Sequence, residues 1–280
     1  MLTLAALAAQ PNTPGGRVEV QGHRGARAVR PENTLPAFEY ALEVGVDTLE
    51  LDLAVTRDDH LVVSHDPIID ERICSGGSGA IRRKTLSEIR KLDCGSKVNP
   101  RFRKQRRAPG ARMPTLDEVF RHVRRSKAPA AKRVQFNIET KIFPARPELS
   151  PGPSAFARLV VDAIERHGMT SRAVVQSFDH RSLRAVKRIA PSIRVAMLTS
   201  ESLPDFAALA RSLGAEIVSP NWAWITREAV DELHAAGVRV IPWTVNDLRV
   251  VDRMLMLDVD GIITDDPKRV IEHLRRRGRR

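Results

Sequence analysis

The apolar positions of this chain fall into two alternating rhythms. Short runs rich in Val, Ile and Leu, at 18–20, 48–55, 134–140, 173–177, 194–198, 216–219, 239–245 and 261–264, read as strands. Between them, apolar residues recur every three or four positions, as Leu35, Phe38, Ala41 and Leu42 do over 34–44, and these segments read as helices. Local signals mark the helix ends. Asn33 or Thr34 suits the start of the first helix, Thr85-Leu86-Ser87-Glu88 and Thr115-Leu116-Asp117-Glu118 are capping boxes, and Gly45, Gly168, Gly214 and Gly237 are stops. Eight strand-then-helix units, with strands apolar on both faces, predict an α/β fold of the (β/α)8 TIM-barrel type. An open doubly wound sheet is the runner-up, but neither a G-x-G-x-x-G loop nor a P-loop pattern occurs.

The rhythm breaks after the second strand. Only Thr56 to His60 separate it from Leu61-Val62-Val63, whereas a parallel crossover needs roughly a dozen residues. The pair is therefore expected to be an antiparallel β-hairpin turning near Asp58-Asp59, which places His65 opposite Asp52. Residues 67–113 then read as a small insertion on the same edge, with Gly76-Gly77-Ser78-Gly79, one short helix and a basic loop. The chain divides into an apolar segment and linker, 1–16, and one barrel domain, 17–280.

The formal charge is +12, from 46 Lys and Arg against 34 Asp and Glu, which favours anionic partners. The basic residues are scattered, including Arg101, Arg103, Lys104, Arg106, Arg107 and the 275–280 tail, with no aromatic-interleaved platform for nucleic acid. Nucleic acid is not expected as a partner; transient contact with an anionic membrane surface is compatible with the charge. No apolar run reaches the roughly 18 to 20 residues of a membrane span, so a soluble mature protein is expected. Cys74 and Cys94 read either as ordinary thiols or as one loop-closing bridge. Leu2 to Ala9 resembles the end of a secretory apolar region, with Ala6-Leu7-Ala8 like a cleavage site but no preceding Lys or Arg. Export to a periplasmic or extracellular location is favoured over the cytoplasm.

Candidate chemistry collects at the carboxyl ends of the strands, where barrels of this kind place their sites. The first strand ends in His23 and Arg24, the second in Glu50 and Asp52, the hairpin in His65, and the third in Glu139 and Lys141. Gln176 and Ser177, Asn221 and Trp222, Trp243 and Asn246, and Asp265 and Asp266 end the later ones. In Leu49-Glu50-Leu51-Asp52-Leu53 the period of two turns the leucines to the helices and both carboxylates to the barrel axis. Converging carboxylates repel, and a hard divalent ion, Mg²⁺ or Ca²⁺, held by Glu50, Asp52 and Glu139 resolves that better than zinc would. The competing account is a set of structural ion pairs with Arg24 and Lys141. A glycosidase also uses two carboxylates, but two histidines, an arginine and a lysine around them point to a phosphate.

These residues carry a resemblance. Gly22-His23-Arg24-Gly25 with Pro31-Glu32-Asn33-Thr34, Glu50-x-Asp52, Val63-Ser64-His65-Asp66-Pro67, Asn137-Ile138-Glu139-Thr140-Lys141, Trp243-Thr244-Val245-Asn246 and Gly261-Ile262-Ile263-Thr264-Asp265 closely resemble the glycerophosphodiester phosphodiesterases. The likeness spans about residues 18–274, with Asp58-Asp59 and Thr140 as small departures. It implies a metal-dependent hydrolysis of a small-molecule glycerophosphodiester to an alcohol and sn-glycerol 3-phosphate. It also implies that His23 and His65 are the acid and base pair, that Glu50, Asp52 and Glu139 hold one divalent cation, and that Arg24 and Lys141 contact phosphate. Asn33 and Trp243 are further candidates for substrate binding, and Phe178 and Trp222 join Trp243 as aromatic residues able to flank glycerol or to pack the barrel mouth. Rival readings are another lipid phosphodiesterase on the same barrel, of phosphoinositide or sphingomyelin type, and a noncatalytic anion-binding protein.

Overall fold

The computed structural model describes Pro11 and residues 15–280; the segment 1–10, with its reading as a signal remnant, lies outside the described residues. The strands are β1 (Glu19–Gly22), β2 (Thr48–Val55), β3 (Leu61–Val63), β4 (Gln135–Thr140), β5 (Ala173–Ser177), β6 (Arg194–Thr199), β7 (Ile217–Pro220), β8 (Arg239–Val240) and β9 (Gly261–Thr264). The helices are α1 (Leu35–Val44), α2 (Leu86–Ile89), α3 (Leu116–Arg125), α4 (Pro153–Arg166), α5 (His180–Ile189), α6 (Phe206–Leu213), α7 (Arg227–Ala235), α8 (Leu248–Met256) and α9 (Pro267–Arg276). Among the described residues, eight parallel strands follow one another in the order β8-β7-β6-β5-β4-β2-β1-β9, and β3 pairs antiparallel with β2 outside that path. The seam between β8 and β9 is bridged by backbone bonds from Asp260 to Val240, Ile263 to Pro242 and Val245 to Ile263. The result is the expected (β/α)8 barrel.

Alternation along the strands builds its two layers. Leu49, Leu51 and Leu53 of β2 join the large core between sheet and helices, while Val174, Ala196, Ile217, Ile241 and Ile263 pack inside the barrel beneath Trp243. Both capping boxes form, with Thr85 and Thr115 each accepting from the third residue of their helices. Thr34 occupies the cap position of α1 but caps nothing with its hydroxyl, which instead donates to the Pro31 carbonyl at 2.6 Å and closes the loop before the helix.

Two expectations change in detail, and one open alternative is decided. The hairpin is centred on Asp58, pairing Val55 with Leu61 and Leu53 with Val63, so Ser64 rather than His65 lies opposite Asp52. An odd-numbered turn, with Asp59 in the left-handed region at φ 58°, accounts for the one-residue slip. The seventh barrel strand is regular only over Arg239–Val240, because Pro242 offers no N–H to the ladder; Trp243 nevertheless pairs with Asn221 beyond it. Finally, Cys74 and Cys94 form a disulfide. It lies in the insertion's own small core with Ile69, Ile81, Leu86, Ile89 and Leu92, which rests on Ala54 and Val62 of the hairpin. Closing a loop of 20 residues restricts the unfolded chain by about 3 kcal/mol in the loop-entropy account.

Candidate active site

The loop after β1 is shaped by two glycines. A Cβ on Gly22 would meet the Gly25 carbonyl oxygen at 2.2 Å, and one on Gly25, whose φ is +83°, would meet Ala37 at 2.7 Å. This tight turn folds Arg24 back so that its backbone N–H donates to Glu50 Oε2 at 2.8 Å. It also carries His23 over the barrel mouth. His23 Nδ1 sits 2.6 Å from Asp265 Oδ1, and its Nε2 lies 3.9 Å from Glu50 Oε2. Since a carboxylate can only accept, Asp265 takes the Nδ1–H and leaves Nε2 as the unprotonated nitrogen of the neutral ring. Asp265 is itself fixed by Arg27 Nε at 2.7 Å and by the Asn246 carboxamide at 2.8 Å.

Beneath the histidine, Glu50, Asp52 and Glu139 each offer an oxygen within 4.8 Å of the others, all three residues being buried. They share two cations. Lys141 Nζ stands 2.6 Å from Glu139 and 3.2 Å from Asp52; Arg24 stands 3.3 Å from Asp52 and is also held by Glu32 at 2.6 Å. Burial pushes the Glu50 carboxyl well above the usual glutamate range, and Asp52 and Glu139 push it the same way. For Asp52, burial works upward but Lys141 and Arg24 overcome it and hold the carboxyl well below its ordinary value. Burial also raises Glu139, against Lys141 and with Asp52. Burial lowers His23 to about 4 in spite of its Asp265 bond.

The donor set fits a hard divalent cation. Asp52 Oδ1 and Asn33 Oδ1 are buried and accept no hydrogen bond, Lys141 making a charge contact with the former without hydrogen-bond alignment. Buried oxygens with no hydrogen bond, beside a carboxylate whose charge burial disfavours, are donors that suit such a cation. Glu50 is also held from below. Gln176 donates to Glu50 Oε1 at 2.9 Å, and Asn137 bridges Gln176 and Gln21 at 2.9 and 2.8 Å.

The family model for the glycerophosphoryl diester phosphodiesterases matches residues 23–269. The chain belongs to the glycerophosphodiester phosphodiesterase family. A glycerophosphodiester phosphodiesterase of Caldanaerobacter subterraneus is 37% identical over 259 residues, covering 92% of this chain and 98% of that protein. One from Bacillus altitudinis is 32% identical, covering 91% and 97%. Among solved structures, a putative glycerophosphoryl diester phosphodiesterase from Silicibacter pomeroyi superposes with a TM-score of 0.86 at 29% identity, covering 96% of each chain. A phosphodiesterase of Oleispira antarctica, solved with sn-glycerol 3-phosphate, shares the fold at a TM-score of 0.78 and 21% identity, covering 92% of this chain and 96% of that one.

In this chain one cleft is lined by His23, Arg24, Glu50, His65, Glu139, Lys141 and Trp243, all named from the sequence. Phe178 lines it too, stacked edge-to-face on Trp243 with ring centres 5.4 Å apart. Asn33 sits behind Asp52, donating to it at 2.9 Å, and Trp222 lies outside the cleft against the core, under Arg253. Sequence reasoning assigned no role to Asp265 or Gln176, although both stood at strand ends, and it passed over Arg27 and Glu32. Only the proximity of Glu32 to Arg24 in the Pro31-Glu32-Asn33-Thr34 motif hinted at its ion pair.

Proposed function

We propose that this protein hydrolyses glycerophosphodiesters to an alcohol and sn-glycerol 3-phosphate, with Glu50, Asp52 and Glu139 holding one divalent cation, Mg²⁺ or Ca²⁺. The observation that carries the reading is the buried carboxylate triad within 4.8 Å, two of whose members, Glu50 and Glu139, line one cleft with His23, His65, Arg24 and Lys141. When bound, the cation supplies charge neutralisation to the phosphodiester and its transition state. Arg24 and Lys141 bring fixed positive charge to the same group, held by partners that cost no reorganisation during the reaction. His23, with Nδ1–H tied to Asp265, presents Nε2 as the base that takes the proton from the attacking oxygen, a water or the neighbouring glycerol hydroxyl. His65, its Nδ1 held 2.8 Å from Asp66, is the acid that protonates the departing alkoxide. Trp243, anchored by its indole N–H on the Ser219 carbonyl, and Phe178 offer the glycerol carbons an apolar wall.

The test is release of glycerol 3-phosphate from glycerophosphocholine and glycerophosphoethanolamine. Release that EDTA abolishes and Mg²⁺ or Ca²⁺ restores is expected; no release from folded protein under either ion would overturn the reading for these two substrates, and the same failure with glycerophosphoinositol would overturn it altogether. The Cys74–Cys94 bridge supports action in an oxidising compartment, periplasmic or extracellular, where such bridges persist. Recovery of the native chain wholly in the cytoplasmic fraction would contradict that location.

A further inference from the structure

Four cations line the cleft, and three are already matched. Arg24 pairs with Glu32 and Asp52, Arg27 with Asp265, and Lys141 with Glu139 and Asp52. Arg101, from the insertion, lines the same cleft and has no carboxylate partner among the described residues. Its loop is nonetheless fixed. Asn99 Oδ1 accepts from the Arg101 N–H at 3.1 Å, and Asn99 N–H in turn donates to the buried Gln105 carboxamide at 2.7 Å. Gln105 donates to the carbonyls of Arg27 at 2.6 Å and Arg30 at 3.1 Å, the Arg106 N–H donates to Val29, and the Arg27 guanidinium lies 5.2 Å from the Phe102 ring. The insertion is thus clasped onto the very loop that carries His23.

Deepening the proposed function and resting on it, we propose that Arg101 is a specificity-determining residue that binds a negatively charged group on the leaving alcohol. The preferred substrates are then glycerophosphodiesters whose alcohol carries its own anion. The diester phosphate bears one negative charge and is served by Arg24 and Lys141 at the barrel mouth; the glycerol moiety bears none. A second anion can come only from the alcohol. Arg101 adds an unmatched positive charge to this cleft, which disfavours choline and ethanolamine, whereas Lys104 and Arg106 of the same basic loop line a separate pocket with Asp266 and Glu272. Phe178 offers choline and ethanolamine little compensation, since Lys141 Nζ already stands 6.0 Å from its ring centre.

The experiment compares kcat/KM for glycerophosphoinositol 4-phosphate, glycerophosphoinositol and glycerophosphocholine in the wild type, Arg101→Ala, Arg101→Lys and Arg101→Glu. Circular dichroism melting confirms that each variant is folded. The wild type is expected to prefer the phosphorylated substrate over its unphosphorylated twin by about tenfold or more, as a charge-assisted contact implies. That ratio collapses in Arg101→Ala, mainly through KM, survives in part in Arg101→Lys, and falls below one in Arg101→Glu. An equal loss on all three substrates in Arg101→Ala would overturn the proposal and move Arg101 to the diester phosphate. An unchanged ratio would overturn it as well, leaving Arg101 a solvated side chain. Release from none of the three by the wild type would instead overturn the proposed function, on which this assignment depends.

Discussion

At the amino-terminal end of the barrel, Asp47 accepts from the Val20 N–H at 2.8 Å and pairs with Arg17 and Arg280, while Glu19 pairs with Arg239 at 2.7 Å. Asp260 accepts there from the Val240 N–H at 2.7 Å and faces His234. At the mouth, three buried carboxylates share Arg24 and Lys141, and among the described residues Glu50 has no cation in ion-pair contact other than His23, held neutral by burial, at 3.9 Å. Both ends bury charge. Matched charge at the bottom satisfies the desolvation cost and holds the sheet ends together, whereas the surplus at the mouth is kept for a ligand and weighs against stability until the ligand arrives. A line of amides through the barrel, Gln21, Asn137 and Gln176, connects Glu19 at one end to Glu50 at the other.

The sharpest break between the two ends is expected from Glu50→Gln. Turnover falls about a thousandfold or more, as loss of a metal ligand and its positioned charge implies, while the melting temperature in EDTA holds or rises because repulsion at the mouth is relieved. Steady-state assays and calorimetry on the same protein check both halves. His65→Ala should lower hydrolysis of alkyl diesters about a hundredfold to ten-thousandfold but spare a p-nitrophenyl glycerophosphate, whose leaving group needs no proton; His23→Ala should impair both. Gln176→Leu removes one support from Glu50, and the divalent concentration giving half-maximal rate should rise about ten- to a hundredfold with the saturated rate less affected.

At the other end the signs reverse. Asp47→Asn removes two cation partners' counter-charge and should cost about 2 to 4 kcal/mol, seen as a melting point lower by about 5 to 10 °C with the rate per folded molecule retained. The pH dependence separates the ends further. For Asp47, burial works upward, but Arg280 and Arg17 hold the folded carboxyl below its unfolded value. Its contribution is present above the unfolded aspartate range and is lost as pH falls through the folded value. Glu50 is raised by burial, so in metal-free protein the unfolded chain gives up that proton first and stability falls as pH climbs above the ordinary glutamate range. Melting curves in EDTA should therefore show Glu50→Gln gaining on the wild type, and Asp47→Asn losing to it, as pH rises from acid. Parallel curves for all three would contradict the distinction.

Much of this contrast was legible in local patterns. The alternation in Leu49-Glu50-Leu51-Asp52-Leu53 fixes which side chains face the axis, and the Thr85 and Thr115 capping boxes place α2 and α3. What escaped depends on three-dimensional closure. The Asp58-centred register follows from the backbone angle of Asp59, which an Asp-Asp turn does not announce. The contact of His23 with Asp265 spans 242 positions and forms only because β1 pairs with β9 across the closing barrel. The Gln105 clasp likewise lies about 75 positions from the carbonyls it binds, inside an insertion without periodicity. Cysteine count left Cys74 and Cys94 open because pairing needs their proximity, which the insertion's fold supplies.

The most direct test of the surplus-charge account is calorimetric titration of Mg²⁺ and Ca²⁺ into EDTA-stripped wild type and Glu50→Gln. One ion per chain in the wild type, with affinity lost or greatly weakened in the variant, is the predicted result. No binding at millimolar concentrations of either ion, or binding undiminished in Glu50→Gln, would contradict it.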